Sequence, residues 1–66
     1  MNDRPEILPF KIEQWDETGT QVENLMARAG HHAVAFSAFE AASRLYPSRI
    51  VTLRRGTMVI QINRDN

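Results

Sequence analysis

The chain contains no cysteine. Disulfides are therefore excluded, and thiolate metal sites with them. Its only histidines are His31 and His32. Adjacent residues do not share a helix face, which argues against a histidine metal site. The glycines Gly19, Gly30 and Gly56 stand apart from one another. No phosphate loop or dinucleotide fingerprint can be assembled from them. No apolar run approaches the roughly 20 residues that cross a bilayer. Residues Met1 to Glu6 lack the basic start and apolar stretch of a secretion signal. The expectation is a cytoplasmic protein with no cofactor and no membrane partner. The lack of cysteine fits a reducing compartment.

The chain's 66 residues allow one domain. A core of that size is only marginally stabilising, and disulfides and metal are not there to supplement it. Self-association is the remaining supplement. A hydrophobic content of 42% with zero net charge argues against disorder. The zero conceals an asymmetry. Residues 1–33 carry three basic side chains against six acidic ones, a net −3. Residues 34–66 carry five against two, a net +3. Such a chain has one acid-rich and one base-rich half, and the second half offers an anion-facing surface.

The periodicities predict an α+β fold. Residues 1–7 read as a polar arm, 8–63 as the domain and 64–66 as a tail. Phe10 and Ile12 alternate with Lys11 and Glu13, the two-residue period of a half-buried strand, expected over 8–16. Asp16-Glu17-Thr18-Gly19 reads as a type I turn closing a three-residue hairpin loop. Residues 20–27 read as the returning strand. The competing reading is a helix, because Thr20-Gln21-Val22-Glu23 matches a capping box and Val22, Leu25, Met26 and Ala29 share a helical face. A three-residue loop would also set Glu13 opposite Glu23, a like-charge pair that weakens the strand reading. Phase speaks against one long helix through 20–46. From Ala29 to Ala35 the rotation is about 600°, which opposes the two apolar stripes.

Residues 32–46 are expected to be helical, rich in alanine and stopped by Pro47. One of the histidines before it is placed to cap it. Ala35, Ala38, Phe39 and Ala42 form its buried stripe, with Leu45 filling the remaining volume. Strands at 49–54 and 57–63 complete a hairpin around Arg55-Gly56. In that register Leu53 faces Met58 and Val51 faces Ile60, while Thr52 faces Val59 and Ile50 faces Gln61. The expected architecture is ββαββ, with βαββ and βααββ as alternatives. A small antiparallel sheet carries one main helix on one face.

The string Phe10-x-Ile12-Glu13-x-Trp15-Asp16, then Ala38-Phe39-x-Ala41-Ala42, Pro47 and Ile50-x-x-Leu53-Arg54-x-Gly56-x-x-Val59-Ile60 resembles short bacterial proteins of about this length. The resemblance spans residues 10–60. It implies a ββαββ or βαββ plan and no activity.

Chemistry-bearing patterns are sparse. Ser37, Ser43 and Ser48 lie in no nucleophile elbow. Asp16 and Glu17 read as solvated turn residues rather than an acid–base pair. No catalytic residue is assigned, and the chain is expected to be no enzyme. Two binding readings remain. Phe36, Ile50 and Val59 are apolar residues with no evident place in a monomer's core. Trp15, beside a turn, reads as a core-edge residue or an interface anchor, with a stacking platform for a base as the rival. All four are candidates for an interface with a second copy, most simply in a homodimer, or with another protein. Arg44, Arg49, Arg54 and Arg55 are candidates for phosphate contacts with nucleic acid or another polyanion. A pI near 6.7 counts against this second reading.

Overall fold

In a computed structural model the described residues are 8–63. The arm at 1–7 and the tail at 64–66 lie outside them. Strand β1 is Phe10–Trp15, β2 Val22–Ala29, β3 Val51–Arg55 and β4 Met58–Ile62, and the helix α1 is His32–Leu45. All strand pairs are antiparallel, in the order β2-β1-β3-β4. The fold is α+β with a ββαββ plan, and residues 22–29 are strand rather than helix.

Central strand β1 is placed by its alternation. Phe10 and Ile12 turn to the helix, beside Leu53 and Val51 of β3 and opposite Ala29 and Ala27 of β2. The helix runs back over β2, β1 and β3, which is the crossover needed to bring β3 in parallel to β2. Its buried stripe is Ala35, Phe39 and Ala42, with Ala38 only partly buried. Small alanines let the helix lie close to the sheet. Leu45 does not fill core volume; at 69% exposure it lies past the end of the strands' cover.

His31 is the N-cap, and its Nδ1 accepts from the Ala33 amide at 3.1 Å. His32 packs edge-on against Phe10 and stacks on Phe36, which in turn stacks on Phe39. Phe36 is therefore one member of an aromatic row along the helix, with about a third of its surface exposed.

Both hairpins depart from the predicted registers. The first loop is longer than three residues. Asp16 N donates to Gln21 O at 2.8 Å, and Gly19 N closes the inner turn onto Asp16 O at 3.0 Å. Strand β2 then carries two extra residues, Glu23 and Met26, at its register shifts. The result sets Glu13 opposite Leu25, so the expected clash with Glu23 does not arise. In the second hairpin the pair flanking the turn is Arg55 and Met58, not Arg54 and Thr57. Ile60 is an extra residue there, so Thr52 faces Ile62 and Leu53 faces Gln61. Apolar alternation alone did not reveal these bulges.

The first turn is held by Asp16. Its carboxylate accepts from Thr20 N at 2.9 Å and from the Thr18 and Thr20 hydroxyls. The Thr20 amide in particular holds this carboxyl below its usual range. Gly19 has φ +74°, and a Cβ there would come 2.8 Å from Ile50 Cδ1. Gly56 has φ +60° with open space around it. Gly56→Ala should cost about 1–2 kcal/mol, the left-handed penalty alone. Gly19→Ala should cost more, because Ile50 must also shift. Urea denaturation of the two variants checks this order.

Candidate functional site: the uncovered sheet face

With α1 on one face, the other face of the sheet carries no element among the described residues. The registers order its side chains in three rows. The first is Arg28, Lys11, Arg54 and Val59 across β2, β1, β3 and β4. The second is Leu25, Glu13, Thr52 and Ile62. The third is Val22 beside Trp15.

The middle of this face is built from polar contacts. Arg54 grips Glu13 with two hydrogen bonds, Nε to Oε1 at 2.7 Å and Nη2 to Oε2 at 3.0 Å. Such a forked pair is the strong form of the contact. The Glu13 hydrogen bond raises the Arg54 pKa further above its usual value. Trp15 Nε1 donates to Thr52 Oγ1 at 2.9 Å, and the Arg54 guanidinium lies 6.0 Å from the Trp15 ring centre. Glu13 and Thr52 are buried at 6% and 4% exposure although no helix covers them. Their neighbours on the same face do the covering.

Around this centre the rim is apolar and exposed. Val22, Leu25, Val59 and Ile62 keep between 39% and 52% of their surface in water. β4 lies beyond the helix and is exposed along most of its length, Met58 most of all.

The residues singled out from the sequence are dispersed. Trp15 and Val59 belong to the open face. Phe36 is on the helix, and Ile50 is half-buried against Gly19. The arginines do not form one cluster. Arg54 and Arg55 are successive residues of one strand and so turn to opposite faces. Arg55 lies on the helix side, with its guanidinium 5.5 Å from the Phe10 ring centre. Arg49 precedes the other end of β3, where its Nε is 3.9 Å from Glu23 Oε1. Arg44 is in the last turn of the helix.

Sequence reasoning missed Leu25, Val22 and Ile62, and also Lys11 and Arg28. The bulges in β2 and β4 set which of these residues share the open face. Only the true register aligns Lys11 between Arg28 and Arg54. Among the described residues no three His, Asp or Glu side chains gather as metal ligands, and no helix is long and apolar enough to cross a membrane.

Comparison with protein-family models, curated proteins and solved structures finds no match, so function is read from this geometry alone.

The Glu13–Arg54 pair has unequal partners. The Glu13 side chain is 8% exposed and that of Arg54 22%. Removing Arg54 takes both hydrogen bonds from the less exposed partner, the Glu13 carboxylate. Removing Glu13 leaves a guanidinium that can swing out. Arg54→Ala should therefore destabilise by about 1–3 kcal/mol, and Glu13→Ala by less. Chemical denaturation of the two variants measures the difference.

Proposed function

We propose that this protein is a small non-catalytic interaction module that works as a homo-oligomer, most simply a dimer. The observation that carries this reading is the open sheet face, with its exposed rim of Val22, Leu25, Val59 and Ile62 around a self-satisfied polar centre. The core supports it too. Among the described residues eight hydrophobic side chains are buried, and three of them are alanines, so the core they form is small. A second copy adds apolar burial without adding chain.

Sedimentation equilibrium across micromolar concentrations should report a reversible dimer. Leu25→Lys and Val59→Lys should weaken it. Val34→Lys, at a helix position exposed to 61%, should not. A strictly monomeric wild-type protein that unfolds cooperatively removes the proposal.

A second reading, polyanion binding, has one observation in its favour. Arg28, Lys11 and Arg54 form a cationic row across three strands, where like charges opposite one another are unfavourable without an anion nearby. Among the described residues, Glu13 pairs with Arg54 and not with Lys11 or Arg28. Fluorescence anisotropy with labelled single-stranded DNA and RNA tests it. This reading expects binding that falls steeply with salt and is lost in Lys11→Ala and Arg28→Ala. No binding at low salt removes it.

A further inference from the structure

The chain is acidic in its first half and basic in its second, but the fold sorts charge differently. Lys11 and Arg28 come from the acidic half. Both lie at the same end of the sheet as Arg54 and Arg55, beside the β3–β4 turn. The opposite end carries the β1–β2 turn with Asp16 and the exposed Glu17, together with Glu23, which lies 3.9 Å from Arg49. Between them, Glu13 and Arg54 neutralise each other. Along the strand direction, among the described residues, the sheet is therefore basic at one end through Lys11 and Arg28, neutral in the middle and acidic at the β1–β2 turn. The apolar residues of the open face flank the neutral zone, Leu25 and Val22 on β2, Val59 and Ile62 on β4.

This zoning discriminates between the ways two copies can meet. Identical faces pack about a two-fold axis lying between the sheets. With the axis parallel to the strands, each basic end lies on its partner's basic end. With the axis perpendicular to the strands, each basic end lies on its partner's acidic turn. The apolar flanks meet in both cases, so charge decides. We propose that two copies pack open face to open face about a two-fold axis perpendicular to their strands. Lys11 and Arg28 of one protomer then lie against the Asp16–Glu17 turn of its partner.

The inference rests on the self-association reading and adds its orientation. Area sets the strength. Four strands about 4.8 Å apart and about 20 Å long give a face on the order of 400 Å² in plan. Two such faces give about 800 Å² in plan, below the roughly 1,200 Å² at which stable specific interfaces begin, which fits a weak, reversible dimer rather than an obligate one. The geometry also uses both charged zones at once, whereas a uniformly acidic ligand would leave the Asp16–Glu17 end facing like charge.

A charge swap tests the orientation. Glu17 and Arg28 are both exposed and outside the core, so the fold tolerates changes there. Each cross-dimer pair occurs twice by symmetry. Glu17→Lys alone and Arg28→Glu alone should each weaken the dimer about tenfold, as two surface pairs are lost in each case. The double variant, Glu17→Lys with Arg28→Glu, restores both pairs in reverse and should return to within about threefold of wild type. Dimerisation should also weaken as salt rises. Far-UV circular dichroism confirms that each variant is folded. If the losses add in the double variant, or none of the three changes affects a dimer that does form, the orientation is overturned while self-association stands. If the wild-type protein is monomeric throughout, both fall together.

Discussion

One helix cannot cover a four-stranded sheet. An α-helix with its side chains is about 10–12 Å across. Four strands about 4.8 Å apart span nearly twice that. Here α1 lies over β2, β1 and β3, and the core collects beneath it. β4 is left outside the helix's cover, and among the described residues no element lies on the second face. Every unusual feature of the molecule follows from this shortage of cover. The alanine stripe of Ala35, Ala38 and Ala42 brings the helix close to the sheet but adds little bulk. The interior volume falls to Phe10, Ile12, Phe39, Val51 and Leu53.

The bare face responds by closing its own centre. Trp15 bonds to Thr52, and Arg54 clamps Glu13. The guanidinium also lies 6.0 Å from the indole centre, which links the two contacts into one network. Glu13 and Thr52 end up as inaccessible as core residues. A second polar network works at the β2 edge of the sheet. Gln14 is 1% exposed, donates to Glu23 at 2.8 Å and accepts from Asn24 at 2.6 Å. These side chains supply specificity of register where apolar packing is thin. What they leave uncovered is the rim.

The architecture was legible because it rests on periodicity and punctuation. Phe10 and Ile12 marked a strand, Pro47 stopped the helix, and Gly19 and Gly56 marked the turns they occupy. The opposed phases of Ala29 and Ala35 correctly separated β2 from α1. The site was legible only in part. Val59 stood out as an apolar residue without a core role and Trp15 as a core-edge or interface residue, and both lie on the open face. Leu25 and Ile62 did not, because their facing depends on bulges at Glu23, Met26 and Ile60. A single extra residue reverses the facing of every side chain beyond it, and no composition signal marks where it falls. The arginines misled for a related reason. Arg54 and Arg55 are neighbours in sequence, and a strand sends neighbours to opposite faces.

Those same bulges bear on how the protein meets a partner. A sheet with two open edges ordinarily invites another strand, and β4 is uncharged from Met58 to Ile62. Strand addition needs a regular row of free amides and carbonyls. Both edges here are interrupted: β2 by two extra residues, β4 by one midway along a strand of five. Bulges twist a strand and spoil its ladder, and they are among the ways natural sheets protect their edges. Edge pairing would also leave the rim of Val22, Leu25, Val59 and Ile62 in water. Face pairing covers that rim without requiring a regular edge. The irregularity that hid the site from the sequence thus also favours the face over the edge for the proposed second copy.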